Sequence, residues 1–380
     1  MTTIDFVFFD AGGGHRSAAT ALAGVIESQN RPWRVRLVNL QEILDPIDIF
    51  RRLTGTRFQD VYNLLLKKGW TLGTTQILPA LHGLLRLYHR SQVRLLEAHW
   101  RAQPPDLVVS LVPHFNRALR EGFHRARPGA PFVTVLTDLA DYPPHFWIER
   151  QEQYIIAGSP RAHEQALRLG HSPDRVFLAS GMILRPSFYR PLDVDRAAER
   201  ARLHLEPERA TGLVLFGGQG ASVMLDIARR LQHCRRPLQL ILLAGHNRRL
   251  TDRLRRLASR IPMHVEGFTT EVPYFMHLSD FLIGKPGPGS ISEALAMKLP
   301  VIVERTSWTL PQERYNADWI LENRLGLVTP GFRRIAETVD HLLDPATLAE
   351  YCVRAAGVDN RAVFEIPDML ARILSQSAAR

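Results

Sequence analysis

Residues 4–15 read IDFVFFDAGGGH, and residues 212–221 read GLVLFGGQGA. Each is a short apolar run, then a glycine cluster, then the start of a helical pattern. A mostly apolar run of this length suits a strand buried on both faces of a sheet. Glycines directly behind it let the backbone turn tightly and approach a ligand with no Cβ between. The helix that follows offers free N–H groups to an oxyanion. The device occurs twice, once in each half of the chain.

Outward from these two points the same rhythm continues. In the first half, Arg34–Leu40, Leu107–Val112, Phe132–Thr137, Tyr154–Ala157 and Val176–Ala179 read as strands. In the second, Leu238–Leu243, His264–Val265, Phe281–Ile283 and Val301–Val303 do. Helical patterns lie between several of them. This alternation predicts an α/β protein of two facing Rossmann-like domains with parallel sheets, its ligand in the cleft at the strand carboxyl ends. Gly181–Ala210, with Pro186, Pro191 and Pro207, reads as an interdomain linker enclosing a helix. The predicted domains are 1–190 and 191–365, followed by a terminal helix within 366–380.

The chain has 380 residues, 45% hydrophobic and 23% charged. That excludes a disordered chain and a disulfide scaffold. No apolar run approaches the roughly 20 residues of a spanning helix, and no secretory signal is visible at the N-terminus. Cys234 and Cys352 form no C-x-x-C pair, so reduced thiols in a cytosolic protein are expected. The formal net charge is +10. Residues 50–103 hold nine Lys and Arg against Asp60 and Glu97, seven of the ten net charges, which leaves +3 for the rest. Within them Lys67 and Lys68 adjoin Trp70. Arg86, Arg90 and Arg94 fall four apart, beside a stripe of Leu84, Leu87, Tyr88 and Leu95, with Trp100 as a further interfacial aromatic. Such a stretch points to an anionic surface. It fits a segment lying in a membrane interface and equally an amphipathic helix packed on its own domain with a solvated charged face.

Several residues carry candidate chemistry. His15, behind the first glycine cluster that ends at Gly14, sits where an imidazole would face the cleft as general base. Asp138 ends a strand and would face the same cleft, to orient His15 or replace it. Gly217, Gly218, Gln219 and Gly220 repeat the anion turn. Lys285-Pro-Gly287-Pro-Gly289-Ser290 is an irregular loop opening a helix, suited to a phosphate. Glu293 completes a capping box with Ser290 or accepts hydrogen bonds from ribose hydroxyls. Gln312, Glu313 and Asn316 open another helix, as sugar contacts or as a solvated face. Asp195 is an N-cap, not half of a D-x-D metal site with Asp193, and the histidines show no metal spacing.

The combination resembles a known family. FDAGGGHRSAATAL (9–22) is similar to the N-terminal glycine motif of monogalactosyldiacylglycerol synthases and related bacterial diacylglycerol glycosyltransferases. YNLLLKKGWT (62–71), PFVTVLTDL (131–139), RPSFYRP (185–191), LVLFGGQG (213–220), KPGPGSISEAL (285–295) and LPQERYN (310–316) follow in the family's order. More distantly the chain resembles the N-acetylglucosaminyltransferase of peptidoglycan synthesis. The resemblance implies a GT-B fold and inverting transfer of hexose from a UDP-sugar to the hydroxyl of diacylglycerol or a similar lipid. His15 would be the base. Gly217–Gly220 and Lys285–Ser290 would line the diphosphate, Phe268 the uracil, Glu293 the ribose, and Gln312 and Glu313 the sugar hydroxyls. Tyr62, Lys67, Lys68, Trp70, Arg86, Arg90, Arg94 and His114 would meet the acceptor or the membrane. No cofactor is expected, UDP-hexose being a substrate. Placement is expected to be peripheral, on an anionic membrane at its cytoplasmic face, with no nucleic-acid partner. A UDP-sugar epimerase or hydrolase of the same fold, without a lipid acceptor, is the alternative. Two positions depart from the family: Ala140-Asp141-Tyr142-Pro143-Pro144 replaces a Thr-Cys-His stretch of the plant-type enzymes, and Pro286 replaces an alanine.

Overall fold

The computed structural model describes residues 1–10, 14–47, 88–307 and 309–378. Two six-stranded parallel sheets dominate it. The first holds β1 (Thr2–Phe8), β2 (Trp33–Asn39), β3 (Leu107–Ser110), β4 (Phe132–Val135), β5 (Tyr154–Ala157) and β6 (Val176–Leu178), in the order β2-β1-β3-β4-β5-β6. The second holds β7 (Ala210–Leu215), β8 (Leu238–Leu243), β9 (Met263–Glu266), β10 (Phe281–Gly284), β11 (Val301–Glu304) and β12 (Gly326–Thr329), in the order β12-β11-β10-β7-β8-β9. These are the two Rossmann-like domains expected. β12 lacks a counterpart in the sequence reading. It is a four-residue edge strand beginning in glycine, too short to announce itself.

Alternation along each strand divides its side chains between two cores. Ile4, Phe6 and Phe8 face helix Gly14–Ser28 through Leu22, Val25 and Ile26. Val7 faces the other way, toward Val93, Leu96 and Trp100 of helix His89–Ala102. In the second domain Leu213 and Leu215 serve one layer, and Val214 and Phe216 the other. Each fully buried aliphatic side chain contributes roughly 1.5–3 kcal/mol, so both faces of both sheets are strongly held.

Two expectations change. Trp100 is no interfacial aromatic: it is fully buried and its Nε1 donates to Asp5 Oδ2 at 3.0 Å. Asp5 itself, buried in β1, is held by Arg36 through Nε at 2.6 Å and Nη2 at 2.9 Å. A buried carboxylate needs such partners, and the tryptophan is one of them. The linker is not a free tether. Leu184, Phe188, Leu203 and Leu205 lie in the core of the second domain. Asp195 does cap helix Arg196–Arg202, accepting from the amides of Ala197 and Ala198, and Arg200 of that helix reaches Asp280 at 2.9 Å.

The terminal helix begins at Ala362 and returns to the first domain. Ala362, Val363, Ile366, Leu370 and Ile373 complete the core against helix Gly14–Ser28. The two segments that cross between domains are tied together. Asn360 Nδ2 donates to the Met182 carbonyl at 2.9 Å, and the Arg361 amide donates to Ser180 Oγ at 2.6 Å. A Cβ on Gly181 would stand 2.5 Å from Asn360 Cγ, so this crossing needs glycine. Leu370→Ala is expected to destabilise the first domain by about 3 kcal/mol, read as a lower denaturant midpoint at unchanged m-value.

Candidate active site

The candidate residues come from the carboxyl ends of the central strands of both sheets. In the second domain, β7 runs into Gly217–Gly220, with Gly217 at φ +71° and Gly220 at φ +61°. A Cβ on Gly220 would lie 2.2 Å from the Ala244 carbonyl oxygen. The loop after β8 thus packs directly on this turn, and the His246 amide donates to the Gly218 carbonyl at 2.8 Å. After β9, Phe268 is 56% exposed. Its ring lies flat on that of His246, centroids 3.8 Å apart. An exposed flat aromatic surface beside an anion turn suits a heteroaromatic ring bearing phosphates.

After β10 comes Lys285–Gly289. Helix Pro288–Ala296 starts two residues before Ser290 and has Gly287 as its N-cap. The capping box does not form: Ser290 Oγ donates back to the Gly287 carbonyl at 3.3 Å. Glu293 is therefore not a cap. Burial pushes its carboxyl up to about 7, partly offset by the charge of Arg185. Helix Pro311–Glu322 stands beside the loop. Glu313 Oε1 pairs with Lys285 Nζ at 2.7 Å, and Asn316 Nδ2 donates to the Pro286 carbonyl at 2.8 Å. Gln312 is half-buried on the same helix. Gly289 has open space where a Cβ would sit, while a Cβ on Gly287 would come 3.3 Å from Lys285 Cε.

In the first domain, His15 lies in the first turn of helix Gly14–Ser28; Ala11–Gly13 lie outside the described residues. Its Nδ1 is 3.1 Å from Thr137 Oγ1, just beyond β4. Burial lowers its pKa to about 4, opposed by a hydrogen bond to the Leu111 backbone. The imidazole is therefore neutral at physiological pH. Asp138, next along, is buried, and Trp147 Nε1 donates to its Oδ2 at 2.8 Å. Burial raises Asp138 to about 7 despite that hydrogen bond; Glu313 pushes it further up and Lys285 pulls it down. That influence couples Asp138, on the first domain, to the Lys285–Glu313 pair on the second. The Trp147 ring also lies 5.8 Å from the His15 ring.

Trp147, His246, Thr137 and Arg185 are site residues the sequence reading missed. The signals were present but local: aromatics in the Pro144-His145-Phe146-Trp147 loop between two buried strands, and a Gly245-His246 turn after β8. Asp141, at the departure from the family, holds that loop. It accepts from the Trp147 amide at 2.6 Å and the His145 amide at 3.0 Å. His114 packs there as well, its ring edge-on to Phe146 at 4.2 Å. It stands at φ +66°. Arg90 and Arg94 are exposed on helix His89–Ala102, away from these groups. Tyr62, Lys67, Lys68, Trp70 and Arg86 lie outside the described residues. A cavity of about 640 Å³ opens elsewhere between the domains, against Ser159, Arg161, Tyr315 and Trp319, and no candidate site residue lines it.

Two facing Rossmann-like domains, each with a six-stranded parallel sheet, define the GT-B architecture. Residues 212–305 match the Glycosyltransferase family 28 C-terminal domain. The chain is 27% identical to a probable monogalactosyldiacylglycerol synthase of Nicotiana tabacum, over 94% of this chain and 68% of that one. It is 26% identical to the spinach (Spinacia oleracea) synthase, over 97% and 72%. Among solved structures, Acinetobacter baumannii MurG superposes with TM-score 0.63 at 12% identity, covering 98% of this chain and all of that one. The UDP-GlcNAc 2-epimerase of Neisseria meningitidis superposes at 0.60 with 14% identity, over 99% and 100%. The chain is thus similar over nearly its whole length to monogalactosyldiacylglycerol synthases, and its second domain carries the glycosyltransferase family 28 C-terminal domain.

Glu293 keeps a proton in the folded state that the unfolded chain, at the ordinary value of 4.5, releases. The folded protein thus binds more protons between about pH 4.5 and 7, and stability falls as pH rises through that window. Glu293→Gln is expected to exceed the wild type by about 2 kcal/mol at about pH 8. The gain should vanish below about pH 5. Thermal melts at the two pH values check it.

Proposed function

We propose that the protein moves a hexose from a UDP-sugar to the hydroxyl of diacylglycerol or a similar lipid alcohol, with inversion, making a glycolipid. The observation that carries this is the electrostatic meeting of Asp138, beside His15, with Lys285 and Glu313 beside two anion turns. A base and a leaving-group site on opposite walls of one cleft is what an in-line displacement requires. The lipid acceptor is supported by similarity to the synthases that spans the acceptor domain as well as the donor domain.

In the proposed step the acceptor hydroxyl oxygen attacks the anomeric carbon and its proton passes to neutral His15. The bond from that carbon to the diphosphate oxygen breaks, and UDP leaves with the electron pair. Its charge is met by the Gly217–Gly220 turn and by the amides of Gly289 and Ser290, which precede any intrahelical partner. Lys285 turns from Glu313 to the diphosphate. Ionised Asp138 steadies the imidazolium formed on His15 and fixes the ring that Thr137 orients. The His246–Phe268 shelf takes the uracil, Glu293 the ribose, and Gln312 and Glu313 the sugar hydroxyls. The residues named here supply the base and the charge stabilisation with no added cofactor.

The epimerase alternative draws on fold alone, since those neighbours are under 25% identical. A donor-by-acceptor assay separates the two: labelled UDP-glucose and UDP-galactose, with and without diacylglycerol vesicles. Labelled lipid is expected. Sugar turnover at full rate without lipid, or absence of lipid product from every UDP-sugar, overturns the proposal. His15→Ala is expected to lower kcat by roughly 10²–10⁴-fold at saturating donor.

The pH profile tests the pair. Asp138 titrates at about 7 and His15 at about 4. The acid limb of kcat/KM is therefore expected near pH 7, because Asp138 must be ionised. Trp147→Phe removes the hydrogen bond that favours the carboxylate, so the limb should move to higher pH. Asp138→Asn should abolish it. An unmoved limb in both variants assigns it to another group.

A further inference from the structure

The charge left outside residues 50–103 is not spread evenly. Residues 229–260 hold ten arginines against one acid, Asp252, so this segment is itself +9. The chain outside both segments carries 29 Lys and Arg against 35 Asp and Glu and is net negative. The +3 outside residues 50–103 is thus +9 here and −6 elsewhere, so the molecule has two basic regions.

The fold places most of this second segment on two neighbouring helices, while Arg235 and Arg236 lie beyond them, Arg236 reaching Asp344 at 3.1 Å. Helices Val223–Leu231 and Arg248–Arg255 pack over the second sheet, burying Met224, Ile227 and Leu231 from one and Leu250 and Leu254 from the other. Their ends are stitched: the Arg260 amide donates to Gln232 Oε1 at 3.2 Å, and Gln232 Nε2 donates to the Ala258 carbonyl at 3.4 Å. Nine of the ten arginines are exposed, Arg236 being half-buried. Arg229 reaches Asp226 at 3.4 Å and Arg255 reaches Glu266 at 3.9 Å. Arg248, Arg249, Arg253, Arg256 and Arg260 meet no carboxylate among the described residues.

This arrangement costs the fold rather than helping it. Arg248 and Arg249 occupy the first turn of their helix, where the macrodipole disfavours cations. Arg249 and Arg253 are like charges four apart. No large hydrophobic side chain between 222 and 262 is exposed. The face therefore offers guanidinium groups on a two-helix surface, with nothing to insert and no exposed Phe, Tyr or Trp to stack on a base. Guanidinium forks suit phosphate oxygens. A flat array without stacking platforms fits the headgroup plane of a bilayer better than a single nucleic-acid strand.

We infer that the face formed by helices Val223–Leu231 and Arg248–Arg255 docks the donor domain onto an anionic phospholipid bilayer by charge alone. The choice of a bilayer over other polyanions rests on the lipid-acceptor reading. The face begins two residues after His246, so docking would hold the donor end of the cleft at the surface that supplies the acceptor.

The test is co-sedimentation of the full chain with phosphatidylcholine vesicles containing or lacking phosphatidylglycerol, and no diacylglycerol. Wild type is expected to bind only the anionic vesicles, less at high salt. Each arginine neutralised should cost about 5-fold in partition. R253Q/R256Q/R260Q should thus lose on the order of 100-fold, while R253K/R256K/R260K stays near wild type. UDP affinity, unchanged in both, reports that they fold. Undiminished partition of the Gln variant overturns the inference. So does wild type that ignores the vesicles yet binds duplex DNA through these arginines. Because no acceptor is present, the result is independent of turnover: lipid glycosylation with undiminished binding of the Gln variant removes this inference and leaves the proposed reaction standing.

Discussion

Parallel pairing is the constraint on which the molecule depends. Every strand pair among the described residues is parallel, so each connection must cross back over a face of its sheet, and the helices that do so bury both faces. The carboxyl ends of all strands in a sheet then lie along one edge. That edge gathers the turns after β7, β8, β9 and β10 into one surface. It likewise brings Thr137 and Asp138, after β4, to His15, after β1. In an antiparallel sheet neighbouring strands end on opposite sides, so the adjacent turns after β7, β8 and β9 could not all share one edge.

The candidate site residues are held close to neutral. Burial drives His15, Asp138 and Glu293 toward their neutral forms, each against its ordinary protonation. Lys285 spends its charge on Glu313. On the proposed reading this is an economical resting state for a site awaiting a dianionic diphosphate and a neutral alcohol. The pairings that matter form only with substrate, because an uncompensated buried charge would otherwise destabilise the fold.

The chain crosses between domains twice, and the second crossing delivers a helix to the core of the first domain. The first domain is thus completed only after the second has been traversed. Asn360 and Arg361 bind Met182 and Ser180, which keeps the two crossings side by side. This is a geometry in which the domains share a compact joint, with Gly181 too closely packed for any side chain.

The sequence by itself determined the two sheets, because mostly apolar runs followed by glycine turns have few other solutions in a folded chain. It also marked the glycine turn after β7, His15 and Asp138 as candidates, since these follow strands directly. It did not reveal that Glu293 is freed from capping by a helix starting at Pro288, or that Trp100 pairs with Asp5 instead of facing outward. Nor did it join Trp147 to Asp138, or His246 to Phe268. It held every arginine of the second basic face in plain view, yet their common direction depends on two helices packing side by side. Local periodicity fixes which face of an element is buried. Only the tertiary structure decides which faces and loop ends meet, because those contacts join residues far apart in the chain.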